Sequence, residues 1–182
     1  MGVSRTALLR PPCGADRIVV TRWVVAIIVL LAACTATMPE VPSTSPVEAC
    51  RADLRQQLDR FVGAFNAGDA RGAAAAFSRS RDEFQWFSVG GFGLPHMVLY
   101  RQDQIEQYVA DRHARGEHLS LIELRFSGEP TNWGGQGIGF EMVREAPDLL
   151  RRSDGTLPSA VGKGAFDCPS GTFIVWSMGA LD

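Results

Sequence analysis

The residues Phe61-Val-Gly-Ala-Phe-Asn-Ala-Gly-Asp69 contain the end of one predicted helix and the start of the next in this 182-residue chain. They close a helix that begins at Ser45-Pro-Val-Glu48, which supplies a capping serine, a proline in the first turn and a glutamate three residues after the cap. Gly68 ends this helix, and Asp69 caps a short Ala-rich helix that closes near Phe77. The apolar side chains of the first helix recur at helical spacing and predict one buried face: Leu54, Leu58, Phe61, Val62 and Phe65.

The pattern after the second helix changes from helix to strand and back again. An aromatic strand is predicted over 84–89, followed by the glycine-rich residues 90–93 and a loop. A third helix is predicted over 103–115, with Ile105, Tyr108 and Val109 facing inward. Further strands of period two are predicted over 119–126, 137–144, 162–168 and 172–178. This order predicts an α+β fold in which three helices pack on one face of a curved, mainly antiparallel sheet.

The first 33 residues have the three parts of a secretory signal. Four arginines precede the uncharged residues 23–33, and small residues precede Cys34. A transmembrane helix is the alternative, but it needs about 17 to 25 apolar residues. Leu31-Ala-Ala-Cys34 resembles the lipobox of bacterial lipoproteins, in which the cysteine thiol receives a diacylglyceryl group. The resemblance implies a palmitate-type anchor at Cys34 on the extracytoplasmic face of the cell membrane, where two acyl chains give stable attachment.

Cleavage before Cys34 would leave an acidic chain with a tether and one domain. The leader takes four arginines and one aspartate from the 18 basic and 20 acidic residues, which leaves a net charge of −5. An acidic chain without a basic run argues against nucleic acid as a partner. Residues 34–47 are rich in Pro, Ser and Thr and predict a tether, and residues 48–182 form the domain.

Two cysteines, Cys50 and Cys168, remain after the leader and the anchor are assigned. In an oxidising compartment such a pair usually forms a disulfide. A pair of free buried thiols is the alternative. No histidine lies at ligand spacing to complete a metal site with them, and the sequence predicts neither a metal nor a cofactor.

The quoted stretch 61–69, with its following Ala-rich helix, resembles the opening of the nuclear transport factor 2 superfamily. The closing hairpin Phe166-Asp-Cys-Pro-Ser-Gly-Thr-Phe-Ile-Val-Trp-Ser-Met178 is similar to that family's last two strands. The superfamily includes ketosteroid isomerase, scytalone dehydratase and small SnoaL-like polyketide cyclases. The resemblance implies a cone of sheet closed by helices around a pocket, and a homodimer formed through the outer face of the sheet.

The catalytic residues of these relatives do not carry over. Phe61 stands where ketosteroid isomerase has its oxyanion tyrosine, and Trp86 stands near the position of its base. Neither side chain can do that chemistry. Scytalone dehydratase would require a His and Asp pair, and by spacing none of His96, His113 and His118 has a partner.

Aromatic residues could line a small-molecule pocket or simply fill the core. The candidate pocket residues are Phe61, Trp86, Tyr100, Tyr108, Glu123, Glu141 and Trp176, with Phe87 and Trp133 as further aromatic candidates. Glu123 and Arg125 share one face of a strand, for which solvent exposure is favoured over a pocket. Arg144 follows the apolar parity of its strand, so we expect an ion pair with a residue such as Asp148.

Residues 134–139 are rich in glycine but do not form a phosphate loop, because no Lys-Ser or Lys-Thr follows. They predict a bend or bulge in a strand.

These features predict a lipid-anchored domain that binds a small apolar ligand or a protein partner without catalysis. The alternative is an isomerase, dehydratase or cyclase that works by general acid and base catalysis. It requires Glu123, Glu141 or Asp167 to point inward beside a cavity. A third hypothesis is a structural or regulatory domain that acts by dimerising.

Overall fold

The structure is a computed structural model that describes residues 45–80, 82–131, 134–157 and 159–180. The predicted signal, the anchor at Cys34 and most of the tether lie outside the described residues, as does Trp133. Among the residues that are described, no helix is long and apolar enough to cross a membrane.

The first two helices begin at the capping residues predicted from the sequence. α1 spans Pro46–Ala67, with the Ser45 hydroxyl accepting a hydrogen bond from the Glu48 amide at 3.2 Å. It ends at Gly68, whose φ of 74° is the left-handed conformation that favours glycine. α2 spans Ala70–Ala74 and is capped by Asp69, and α3 spans Gln102–Ala114. All three predicted helices are therefore confirmed.

Six strands form one curved sheet in the order β2-β1-β6-β5-β4-β3. The pairs are antiparallel except for β1 and β6, which are parallel. The strands are β1 Trp86–Gly91, β2 Leu94–Leu99, β3 His118–Ser127, β4 Gly135–Glu145, β5 Ser159–Asp167 and β6 Thr172–Ala180. The α+β prediction is confirmed, but the loop predicted after residue 93 is wrong, because β2 forms an edge strand there.

A bulge in β3 changes which side chains face the helices. The register between β3 and β4 shifts between Leu121 and Glu123, and the intervening Ile122 is 55% exposed. Before the bulge Leu119 faces inward, and after it Leu124 and Phe126 do. The bulge predicted within residues 134–139 is therefore wrong, since β4 runs regularly and the extra residue belongs to its partner strand.

Aromatic rings fill the space between the sheet and the helices. Trp176 of β6 is fully buried, and its ring lies 4.2 Å from that of Phe140 and 5.3 Å from that of Phe61. Phe77 packs edge-on against the same indole ring, and the ring of Phe87 lies parallel to it. The interior of the cone is thus a packed hydrophobic core.

A disulfide joins Cys50 in the first turns of α1 to Cys168 in the turn between β5 and β6. The two Cα atoms are 5.3 Å apart, and 118 residues separate the cysteines in the sequence. The predicted pairing is confirmed. The bond covalently joins the start of α1 to the turn before the last strand.

Candidate ligand cleft

A cleft of about 470 Å³ lies between the β1–β2 hairpin and α3. One wall is apolar and comes from the two strands, and the other is polar and comes from α3 and the segment after β4. The strand residues are Val89, Gly90, Leu94, Pro95, Met97 and Leu99. The polar residues are Gln104, Gln107, Tyr108, Asp111, Arg112, Arg115 and Asp148.

The apolar wall follows from strand alternation in the hairpin. Met97 pairs with Val89, and Leu99 pairs with Phe87, whose side chain is fully buried in the core. Side chains directly opposite each other point to the same face of a sheet. Met97 and Leu99 therefore extend the core surface outward along β2, which is an edge strand of the described sheet.

Tyr108 is a polar side chain of this cleft whose ring packs in the hydrophobic core. The residue is 6% exposed, and its ring centroid lies 5.6 Å from that of Phe87. Its hydroxyl accepts a hydrogen bond from Arg144 Nη2 at 3.0 Å. Burial raises the pKa of this hydroxyl to about 12, and the nearby Arg144 only partly offsets the effect. The phenol therefore stays protonated at neutral pH.

Behind Tyr108 lies an ion network, buried except at Asp148, that joins α3, the residue before β3, β4 and the segment after β4. Glu117, just before β3, receives hydrogen bonds from Arg144 Nε at 2.6 Å and from Arg112 Nε. Arg112 also makes a bidentate pair with Asp148, with both N–O distances at 2.8 Å. The ion pair predicted for Arg144 is therefore confirmed, but its partner is Glu117 and not Asp148, because Arg112 occupies the Asp148 carboxylate.

The hydrogen bonds of the network favour the charged forms of Arg112 and Asp148. Burial alone would lower the pKa of Arg112, but its hydrogen bonds with Asp148 and Glu117 outweigh burial and raise it. The same hydrogen bond from Arg112 lowers the pKa of Asp148. Two guanidinium groups thus face two carboxylates, and the network carries no net charge.

The turn between β1 and β2 covers the guanidinium of Arg144. The Phe92 ring centroid lies 5.9 Å from Arg144 Cζ, and Phe92 adopts a positive φ of 58°. Its carbonyl oxygen accepts a hydrogen bond from the Leu150 amide at 3.0 Å, which fastens the turn to the segment after β4. Arg144 Nη1 has no hydrogen-bond partner among the described residues.

The other predicted pocket residues do not line this cleft. Phe61 and Trp176 belong to the packed core, whereas Trp86 and Tyr100 are 39% and 60% exposed elsewhere on the β1–β2 side. Glu123 is exposed and pairs with Arg125 at 3.3 Å. Only Tyr108 of the predicted set lies in the cleft wall.

The carboxylates that the sequence offered for catalysis, at Glu123, Glu141 and Asp167, lie on the opposite face of the sheet. Glu141 alternates with the buried Phe140 and Met142 and pairs across the strands with Glu123. Asp167 follows the buried Phe166 and accepts a hydrogen bond from the Ser170 amide at 2.9 Å.

The three histidines have no part in the cleft wall either. His96 contacts the Ser88 hydroxyl at 2.9 Å, and His118 contacts the Asn66 amide at 3.3 Å. His113 lies beside Gly68.

The sequence did not indicate Arg112 or Glu117 as members of the cleft or the ion network, and it indicated Asp148 only as a partner for Arg144. Arg112 does have a signal, since it falls four residues after Tyr108 on the inward stripe of α3. Glu117 has none, because a charged residue in a helix-to-strand turn is normally solvated.

The fold is similar to several solved structures, although no known family model and no curated protein matches the sequence. One is an NTF2-like protein with a cystatin-like fold from Novosphingobium aromaticivorans, with a TM-score of 0.51, 14% identity, and coverage of 87% of this chain and 88% of that one. A proposed dehydratase of the NTF2-like family from Streptomyces avermitilis has a TM-score of 0.53 at 12% identity, covering 72% and 95%. A protein of unknown function with a cystatin-like fold from Nostoc punctiforme has a TM-score of 0.51 at 15% identity, with coverage of 72% of this chain and 90% of that one.

These likenesses establish the fold and no activity. The chain has the nuclear transport factor 2-like, or cystatin-like, α+β fold, as the resemblance of residues 61–69 and 166–178 implied.

Proposed function

We propose that this chain is a bacterial lipoprotein, diacylated at Cys34, whose domain binds a small apolar ligand in the cleft without catalysis. The observation that carries the binding role is the cleft itself, about 470 Å³ with an apolar strand wall facing a polar helix wall. Small-molecule sites typically combine such apolar surface with a few placed polar groups. The lipobox-like Leu31-Ala-Ala-Cys34 supports the anchor.

The anchor is tested by mass spectrometry of the mature protein from bacterial membranes. We expect an N-terminal Cys34 carrying a diacylglyceryl group, and Cys34→Ala should abolish both the modification and the processing. Cys13→Ala is the matched control, because this cysteine lies in the leader and should leave the mature protein unchanged. A mature N-terminus elsewhere, or an unmodified Cys34, would refute the anchor.

Ligand binding is tested with toluene, a small apolar probe, by calorimetry on the lipoprotein in lipid nanodiscs after subtraction of empty discs. We expect saturable binding that Leu94→Asp abolishes, because this substitution places a charge on the apolar wall. Ile122→Asp is the control, since Ile122 is an exposed strand residue outside the cleft. Equal loss in both variants, or no saturable binding to the wild type, would refute the cleft as a binding site.

An enzyme of the general acid and base type is a second candidate, because Asp111 and Tyr108 both line the cleft one turn apart on α3. Two features count against it. Asp111 is exposed, and a tyrosine pKa of about 12 is far from the value that suits proton transfer near neutral pH. Turnover of any ligand that Asp111→Asn abolishes without weakening binding would favour the enzyme.

A further inference from the structure

We propose that the cleft selects ligands that carry a neutral carbonyl oxygen at one end of an apolar body, and that the Tyr108 hydroxyl donates a hydrogen bond to that oxygen. This inference rests on the proposed binding function and specifies the chemistry of its ligand. It concerns a tyrosine on α3, because the first helix carries Phe61 and offers no such donor.

The Tyr108 hydroxyl uses only half of its hydrogen-bonding capacity. It accepts from Arg144 Nη2 at 3.0 Å, and among the described residues nothing accepts its own proton. A buried hydroxyl normally satisfies its donor, because an unmade hydrogen bond costs about 1–3 kcal/mol. Since the residue is 6% exposed and lines the cleft, a ligand in the cleft is well placed to supply the missing acceptor.

Arg144 makes this hydroxyl a stronger and better positioned donor. A phenol that accepts a hydrogen bond from a cation is polarised, which strengthens the bond that it donates. Glu117 holds Arg144 in turn, through contacts of 2.6 Å to Nε and 3.1 Å to Nη2. Arg144 is therefore a positioning residue, and Tyr108 is the group that touches the ligand.

The charge balance around Tyr108 favours a neutral oxygen over a carboxylate. Arg112 and Arg144 are matched by Glu117 and Asp148, so the network has no spare positive charge for an anion. Asp111 on the cleft wall would repel one. The remaining cation, Arg115, has a 63% exposed side chain and lies 3.7 Å from Asp148, so solvent and that carboxylate screen it.

The apolar wall defines the rest of the ligand. Met97 and Leu99 project from β2 on the side of the cleft opposite α3. A ligand whose carbonyl meets Tyr108 would lay its hydrocarbon part against these side chains and remove both surfaces from water. Aliphatic ketones, esters and amides share this chemistry.

The test compares 2-octanone with octanoate on the lipoprotein in nanodiscs, with empty discs subtracted. We expect the ketone to bind more tightly than the carboxylate. Tyr108→Phe should weaken ketone binding about five- to tenfold, as expected for one hydrogen bond. The variant should fold, because Arg144 Nη2 keeps its contact with Glu117. Tyr100→Phe changes the chain's other tyrosine, which lies outside the cleft, and should have no effect.

Infrared spectroscopy of bound 2-octanone gives a readout that a merely structural role of Tyr108 would not move. The carbonyl stretch should fall below its value in an apolar solvent, and Tyr108→Phe should restore that value. A carbonyl shift that persists in Tyr108→Phe would overturn the proposal, and so would tighter binding of octanoate than of 2-octanone. If toluene still binds to the wild type in either case, the cleft remains a binding site and only the carbonyl preference is refuted. If neither toluene nor the ketone binds, the proposed function fails and this inference fails with it.

Discussion

Glu117 and Arg144 form an ion pair in which both side chains are fully buried, with Glu117 Oε1 2.6 Å from Arg144 Nε. The same carboxylate also meets Arg112, so one acid joins α3 to β4 across the start of β3. Taking such charges out of water is costly unless each is paired and hydrogen-bonded. Glu117 is therefore the shared partner that compensates the buried charges of both Arg112 and Arg144.

Glu117→Gln should lower the free energy of unfolding by about 3–5 kcal/mol, the range for breaking a buried pair by removing one partner. The amide would leave two buried guanidinium groups with reduced compensation. Urea unfolding followed by tryptophan fluorescence measures the change. Glu123→Gln is the matched control, because it breaks the exposed pair with Arg125 and should cost less than about 1 kcal/mol. Similar losses in the two variants would show that burial does not decide the strength of these pairs.

Local signals predicted much of the fold correctly. The caps at Ser45 and Gly68 and the apolar stripe of α1 act within a few residues, so they can be read directly. β2 was missed because Pro95 and His96 interrupt its apolar pattern, although proline is tolerated on an edge strand. The inward and outward positions of β3 were hard to predict, because the bulge at Ile122 reverses the alternation of buried and exposed side chains halfway along the strand.

The candidate site was harder to predict because its contacts are tertiary. Glu117 and Arg144 are 27 residues apart, and the sequence around either residue does not indicate a contact with the other. Periodicity predicted correctly that Phe61 and Tyr108 are buried. Burial alone, however, cannot separate a residue that lines a cleft from one that fills the core.

Asp148 should make the free energy of unfolding depend on pH in the acidic range. Its folded-state pKa is lowered by the hydrogen bond from Arg112, so its stabilising contribution is present above the unfolded pKa of about 3.9. That contribution is lost as the pH falls from about 4 through the lower folded value. Asp148→Asn should therefore reduce the pH dependence of the unfolding free energy below pH ~4, and should cost about 1–3 kcal/mol at neutral pH.

The control for this measurement is Asp53→Asn, which removes one carboxylate from the exposed face of α1. It changes the net charge equally without touching the network. If Asp148→Asn and the wild type lose stability in parallel on acidification, the coupling between Asp148 and Arg112 does not contribute.

Gly162 should not tolerate a side chain, because the aromatic core occupies its place. A Cβ there would lie 2.0 Å from Phe140 Cζ and 2.6 Å from the backbone oxygen of Ser177. Phe140 cannot move freely, since its ring stacks on Trp176 at 4.2 Å. Gly162→Ala should destabilise the fold by about 1–3 kcal/mol through overpacking. Gly179→Ala is the control, because its Cβ would have nothing within 4 Å; an equal loss there would point to strand propensity and not to packing.

The disulfide should contribute more to stability than any single pair in the domain, because it closes a loop of 118 residues. The chain-entropy model assigns about 5 kcal/mol to a loop of this size. The double variant Cys50→Ala and Cys168→Ala should unfold at correspondingly lower urea concentration. Dithiothreitol should bring the wild type to the same midpoint and leave the double variant unchanged. An effect of the reductant on the double variant would show that it acts elsewhere, whereas a wild type indifferent to it, with two titratable thiols in urea, would mean that the cysteines are not joined in the native protein.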